Sequence, residues 1–179
     1  MIEVFKKIRE KIVYENSYFS VLEKTFLLPS GKERSFFVQK EVDTCCVLAQ
    51  TSDGLFITVE EFRVGPEKIM RELPAGRFEH ENDDPDERIR KELLEETGYT
   101  GNFKKIGVLP TSPYGTRFIH CYYALNCKKI AEQQLDGTEF IALHLLSKED
   151  MRKLLIEGNS SSCAPGLLAW EVMKQDGAF

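Results

Sequence analysis

The chain has 179 residues, of which 42% are hydrophobic and 30% charged, and its formal net charge is −5. This length and composition are typical of one globular domain, and they exclude a disordered chain, a collagen-like repeat and a coiled coil. The negative charge argues against nucleic acid or an anionic membrane as a partner, because both bind through positive charge.

The sequence contains no run of 18 apolar residues that would cross a membrane. Charged residues also interrupt the N-terminal segment, where a secretion signal needs an apolar core. The five cysteines are odd in number and show no C-x-x-C spacing. We therefore expect reduced, mostly buried thiols and a cytoplasmic location.

Strands dominate the prediction for the first part of the chain. Apolar and polar residues alternate over 11–26, which predicts a strand or a hairpin, and 34–40 predicts a further strand. Residues 43–50 and 55–63 flank a short turn and predict a β-hairpin.

Residues 84–97 form the clearest predicted helix. Asp84 is suited to the N-cap, Pro85 to the first turn and Gly98 to the stop, while Ile89 and Leu93 belong to an apolar stripe. Further elements follow, with strands expected at 103–109, 117–126 and 139–146 and helices at about 147–157 and 165–175. This order favours an α+β protein or a mixed-sheet sandwich.

The predicted helix carries three carboxylates on one face near its end. Glu92 lies three residues before Glu95 and four before Glu96, so the helical period brings them together. Clustered carboxylate oxygens suit Mg²⁺ or Mn²⁺. The helix alone leaves a second interpretation open, in which the acids form a solvated face paired with Arg88 and Lys91.

The segment around this helix resembles the Nudix box, G-x5-E-x7-R-E-U-x-E-E-x-G-U, where U is bulky and apolar. The matching residues are Gly76, Glu92, Leu93, Glu95, Glu96, Gly98 and Tyr99. Two positions depart from the pattern. Asp83 stands for the first glutamate, with one extra loop residue after Gly76, and Lys91 stands for the arginine. The resemblance implies an α/β/α sandwich with a mixed β-sheet, plus an N-terminal β-meander.

Outer segments resemble the ADP-ribose and nucleotide-sugar pyrophosphatases within that family. They are Glu60–Arg63, Arg71–Gly76, Pro110–Thr116 and Asp136–Phe140. The resemblance implies an N-terminal strand region, 1–42, that serves dimerisation and the substrate pocket, and a catalytic domain, 43–179. It also implies a homodimer, and a short β-meander cannot bury both of its faces alone.

The resemblance implies a metal site and a catalytic group. Glu92, Glu96 and the carbonyl of Ala75 would bind Mg²⁺, or Mn²⁺, with Glu95 close by. Glu139 would take the proton from the attacking water, with Glu95 as a second catalytic residue; the alternative for Glu139 is a surface acid at the start of a strand. Asp83 would either touch a metal or act only as a loop or capping acid.

Further residues are expected to bind substrate. Arg63 and Arg71 would clamp phosphate or a terminal ribose, with surface ion pairs as the alternative. Glu72 would contact an arginine or a metal, or it would be structural. Phe19 and Phe36 would stack on the base, or they would pack in the core or in a dimer interface. A loop over the sugar would be shaped by Ser112, Pro113 and Gly115, which otherwise form an ordinary turn.

We expect Mg²⁺-dependent hydrolysis of ADP-ribose or a related nucleoside diphosphate sugar to a nucleoside monophosphate and a sugar phosphate. The same residues leave two alternatives open: a hydrolase of GDP-mannose or another nucleotide sugar, and a binding module with weak catalysis. The departures at Asp83 and Lys91 favour the binding module, whereas the intact cluster of three glutamates favours an enzyme.

Overall fold

The computed structural model describes residues 3–179. Within those residues the chain forms ten strands and three helices. The strands are β1 (Lys6–Glu15), β2 (Ser20–Leu27), β3 (Glu33–Lys40), β4 (Thr44–Thr51), β5 (Phe56–Arg63), β6 (Lys68–Glu72), β7 (Ala75–Arg77), β8 (Tyr99–Pro110), β9 (Phe118–Lys129) and β10 (Ala142–Leu146), and the helices are α1 (Pro85–Thr97), α2 (Lys148–Glu157) and α3 (Cys163–Gln175). None of the helices in this described part is long and apolar enough to cross a membrane.

The chain divides into two compact units, and the first contains the described residues up to Asp43 together with Pro110–Phe118. Its three strands form an antiparallel meander in the order β1-β2-β3. Gln39 on β3 ties the returning segment to this sheet, since its N–H donates to Tyr114 O at 2.9 Å and its carbonyl accepts from Thr116 N at 3.0 Å. The meander expected at the N-terminus is thus present. The segment 110–118, which the sequence assigned to the catalytic domain, packs with it.

The second unit, Thr44–Leu109 with Ile119–Phe179, is built on a mixed seven-stranded sheet. The main path is β10-β5-β4-β9-β8, while β6 pairs with β5 and β7 pairs with β4. The β4–β9 pair is parallel, and β5 is antiparallel to both β4 and β10. Residues 45–51 of β4 are all buried, as expected for an apolar strand at the centre of a covered sheet.

Helices cover both faces of this sheet. On one face Cys46 and Leu48 of β4 share a core cluster with Met151 of α2 and Trp170 of α3. Side chains alternate along a strand, so Cys45 points to the opposite face. There α1 packs on β4, β5 and β7, with Ile89 and Leu93 fully buried. The α/β/α sandwich predicted from the sequence is confirmed.

The structure also corrects several predicted boundaries. Residues 11–26 belong to a hairpin, the second of the two predicted alternatives, but β1 begins earlier, at Lys6. Strands β6 and β7 were not predicted, because their segment holds few alternating apolar residues and pairs only along β5 and β4. Strand β10 begins at Ala142 rather than at 139, so Glu139 lies in a loop.

Candidate metal and catalytic site

The ends of α1 are fixed by its own sequence. The Asp84 side chain caps the first turn by accepting from Asp86 N at 2.9 Å. Gly98 adopts φ 77°, the left-handed conformation that favours glycine, and its N–H donates to Leu94 O at 2.8 Å. Because both ends are set locally, the three glutamates fall on the last turns as predicted.

These glutamates line a pocket of about 230 Å³ in the second unit. Its lining residues are Glu79, Arg88, Lys91, Glu92, Glu95, Glu96, Gln134, Asp136 and Glu139. Six carboxylates therefore face two cationic side chains. The structure brings together four of the predicted site residues, Glu92, Glu95, Glu96 and Glu139, although Glu139 comes 43 positions after Glu96 in the chain.

Glu92 is held between a backbone and a guanidinium. A Cβ at Gly76 would overlap the Glu92 carboxyl group, so this close approach requires glycine. On its other side, Glu92 Oε1 lies 2.6 Å from Arg88 Nη2. The side chain is buried, and this burial raises the pKa of Glu92 to about 7, against the opposing effect of Arg88.

Glu96 is buried one turn further along α1. Its Oε2 accepts from the backbone N–H of Ala75 at 3.2 Å, so Ala75 meets the site through its main chain. Burial raises the pKa of Glu96 well above its usual range, and the nearby Glu92 carboxylate raises it further. Two adjacent buried carboxylates are costly when both are ionised, unless a cation joins them.

The donor set fits a hard divalent cation. Carboxylate and carbonyl oxygens are the ligands that Mg²⁺ and Mn²⁺ prefer, and the acids of the pocket outnumber its cationic groups. In the part of the chain that the structure describes, no three His, Cys, Asp or Glu side chains are already gathered as a ligand group.

The loop 130–141 is fastened to the C-terminal turn of α1. The N–H of Ile130 donates to Gly98 O at 2.9 Å, and that of Gln134 donates to Glu95 O at 2.8 Å. The Gln133 side-chain amide donates to Glu96 O at 2.7 Å and to Ile141 O at 3.3 Å. These bonds satisfy carbonyls that a helix end leaves free.

This fastening places Asp136 and Glu139 in the pocket, where Glu139 Oε2 accepts from Asp136 N at 3.0 Å. Sequence reasoning missed Gln133, Gln134 and Glu79. The sequence signal for the two glutamines is that the carbonyl groups at the end of α1 need hydrogen-bond donors.

The predicted substrate-binding arginines lie in ion pairs. Glu72 is fully buried and accepts from Arg63 Nε at 2.8 Å and from Ser161 N at 3.0 Å. Burial alone would raise the pKa of Glu72, but these hydrogen bonds hold it below its usual value. Arg71 Nη2 bonds Glu60 Oε2 at 2.9 Å. Each arginine side chain keeps about a third of its surface exposed. Their substrate roles stay predictions.

The predicted base- and sugar-binding residues all lie in the first unit. Phe19 is half-buried with its ring centroid 5.6 Å from that of Tyr14, and Phe36 is 5.9 Å from Phe26. Ser112, Pro113 and Gly115 belong to a turn in which Ser112 Oγ accepts from Tyr114 N at 3.1 Å.

Asp83 organises the loop in front of α1. Its Oδ2 accepts from Glu79 N at 2.6 Å and from His80 N at 3.0 Å. The His80 bond is the largest of several causes that hold the pKa of Asp83 below its usual value. These contacts are those expected of a loop acid. A direct metal contact by Asp83 stays the alternative prediction.

Comparison with known proteins identifies a matching family and several relatives that are named for an enzymatic activity. Residues 39–163 match the NUDIX domain family. The chain is 32% identical to an ADP-ribose pyrophosphatase of Bacillus subtilis (strain 168), over 84% of this chain and 85% of that protein. It is 32% identical to a GDP-mannose pyrophosphatase of Salmonella arizonae, over 65% and 66% respectively. The crystal structure of an ADP compounds hydrolase superposes with a TM-score of 0.84 at 17% identity, over 100% of this chain and 99% of the other, which shows a shared fold.

Proposed function

The chain belongs to the Nudix family, and on this premise we propose that it hydrolyses the pyrophosphate bond of ADP-ribose or a related nucleoside diphosphate sugar. The products would be a nucleoside monophosphate and a sugar phosphate. The observation that carries this proposal is the pocket in which Glu92, Glu95, Glu96 and Glu139 converge. A relative that is an ADP-ribose pyrophosphatase, similar over most of both chains, supports the choice of substrate.

The chemistry follows from the charge of the substrate. A pyrophosphate diester is doubly negative and repels an attacking oxygen nucleophile. A divalent ion in the pocket would neutralise this charge and lower the pKa of an attacking water. Nudix hydrolases use divalent metals. For this chain we propose Mg²⁺, with Mn²⁺ as the alternative, held by Glu92, Glu96 and the Ala75 carbonyl.

Glu139 is our proposed proton acceptor. It lies in the pocket on a loop that α1 holds in place, and a carboxylate within reach of a bound water can take its proton. Glu95 is proposed to assist, because it lines the same pocket and pairs only loosely with Lys91, at 3.7 Å.

For substrate recognition we propose that Arg63 and Arg71 bind phosphate or the terminal ribose through their exposed faces. Glu72 would act indirectly, because its carboxylate is buried and already bonds Arg63. Phe19 and Phe36 are proposed to stack on the base, and the turn with Ser112, Pro113 and Gly115 to contact the sugar.

We also propose a homodimer formed through the N-terminal region. Strand β1 is an edge strand of its sheet and is exposed at every residue, among them the apolar Ile8, Ile12 and Val13. An uncovered apolar edge strand invites pairing with another chain. A monomer in light scattering at micromolar concentration would contradict this proposal. A cytoplasmic location also stays a prediction, and the five free cysteines are compatible with it.

The test is a panel of ADP-ribose, GDP-mannose, other nucleotide sugars and nucleoside triphosphates, assayed with Mg²⁺ for release of nucleoside monophosphate. We expect ADP-ribose to be the best substrate and excess chelator to abolish turnover. Glu96→Gln serves as the inactive control. Faster turnover of GDP-mannose would favour the alternative substrate, for which the Salmonella arizonae relative is named. Tight binding without turnover would identify a binding module, and activity that survives chelation would refute the metal mechanism.

A further inference from the structure

Arg88 is a cation built into the acidic pocket. Its Nη2 lies 2.6 Å from Glu92 Oε1, and its Nη1 lies 2.9 Å from Glu79 Oε1. The side chain is 19% exposed, and within residues 3–179 its buried Nε has no hydrogen-bond partner. One guanidinium therefore joins the loop before α1 to a proposed metal ligand on the helix.

This contact does not come from the arginine position of the family pattern. That position holds Lys91, whose Nζ is 3.7 Å from Glu95 Oε1 in an exposed pair. Arg88 stands one turn before Glu92, so the i, i+4 spacing brings its guanidinium to the Glu92 carboxylate. On its other side, the Glu92 carboxyl group lies close to Gly76.

The contact between Arg88 and Glu92 affects how a divalent cation would bind in this acidic pocket. A divalent cation that binds Glu92 and Glu96 must bind a carboxylate that already pairs with Arg88, and it must approach a fixed positive charge. Among the side chains that line the pocket, Arg88 is the cation that contacts Glu92. Without Arg88, the Glu92 carboxylate would face the acidic side chains of the pocket with no cation paired to it.

We propose that Arg88 is the resident counter-cation of this pocket: it holds Glu79 and Glu92 together in the metal-free protein and competes with a divalent cation for Glu92. Arg88 is thus a positioning residue that sets the metal affinity. The proposal rests on the metal site of the proposed function, and it concerns a residue that the family pattern leaves unspecified.

The test is a titration of the full-length protein with Mn²⁺, in which electron paramagnetic resonance measures the free ion. We expect Arg88→Gln to bind Mn²⁺ at least about tenfold more tightly than wild type. At contact distance, one unit charge changes the affinity for another by roughly fivefold even in water, and by more for a dication in a partly buried site. Arg88→Lys should fall between the two, because one ammonium group cannot hold both carboxylates in the same geometry.

The matched control is Arg90→Gln. Arg90 lies on the same helix and its guanidinium carbon stands 4.5 Å from the centroid of the Phe103 ring, so its loss removes the same charge outside the pocket. We expect its Mn²⁺ affinity to stay within about twofold of wild type. Thermal unfolding in chelator provides a second readout, in which Arg88→Gln should lose stability that Mn²⁺ restores.

The outcomes separate the two proposals. Wild-type protein that binds Mn²⁺, with Arg88→Gln binding it equally or more weakly, refutes the competition and leaves the metal site intact. If neither wild-type protein nor Arg88→Gln binds Mn²⁺, the metal site and this inference are refuted together, whereas binding by Arg88→Gln alone supports both. If Arg88→Gln does not fold, Arg88→Lys decides, and an affinity no tighter than that of wild type overturns the proposal.

Discussion

Replacing Glu92 with glutamine is expected to stabilise the metal-free protein at pH 8 while it removes most of the hydrolytic activity. Glu92 is 7% exposed and lies among like charges, and the resulting pKa of about 7 stands well above its usual value of 4.5. The folded protein therefore prefers the protonated carboxyl group more strongly than the unfolded chain does.

The sign and size of the effect follow by linkage. Because the folded pKa is raised, the carboxyl group costs nothing well below pH 4; its destabilising effect grows as the pH rises from the unfolded to the folded pKa and levels off above about pH 7. Each pKa unit corresponds to about 1.4 kcal/mol, so the cost is about 1 kcal/mol at pH 5 and about 3 kcal/mol at pH 8. Glutamine carries no charge and avoids this cost at both values.

The assay is urea unfolding in chelator at pH 5 and pH 8. At pH 8 we expect the free energy of unfolding of Glu92→Gln to exceed that of wild type by about 3 kcal/mol, which raises the midpoint by about 1–2 M. Glu87→Gln is the control, because Glu87 is an exposed acid in the first turn of the same helix. It should change stability by less than about 1 kcal/mol at either pH.

A variant that is no more stable than wild type at pH 8 would refute the reasoning. It would mean that Arg88 compensates the buried charge fully, and that Glu92 is ionised in the metal-free fold without cost.

The remaining predictions concern how the site is held. Gly76→Ala should lower kcat and weaken Mn²⁺ binding while the fold persists, since the new Cβ displaces the flexible Glu92 side chain; unchanged metal affinity would contradict the close approach. Asp83→Asn should lower kcat/KM less than tenfold and Glu96→Gln far more, and equal losses would make Asp83 a full member of the metal site. Gln133→Leu should lower kcat with little change in KM, because the loop that carries Glu139 loses its side-chain hydrogen bond to α1. Gln133→Glu should lower kcat as well, because a carboxylate cannot donate to the carbonyls of Glu96 and Ile141.

The site was predictable from sequence where its geometry is local. The spacing of Glu92, Glu95 and Glu96 fixes their shared helix face, and Asp84 and Gly98 fix where that helix begins and ends. Both signals act within a few residues, so they survive in any tertiary context. The central hairpin β4–β5 was predicted for the same reason, since its alternation and turn are local.

The contacts that complete the site are not local. Strand β7 was missed because three residues pair with β4 only once the sheet exists, and Gln133 was missed because its partners, Glu96 and Ile141, come together only through the folded loop. Contact between Glu72 and an arginine was among the predicted alternatives, but the burial of Glu72 was not, because that burial depends on the distant Ser161 segment. Local signals in the sequence are enough to predict α1, its carboxylates and the family. Which of those carboxylates are buried, and which loop reaches them, follow only from the three-dimensional packing of residues far apart in the chain, whereas the helical spacing already pairs Arg88 with Glu92.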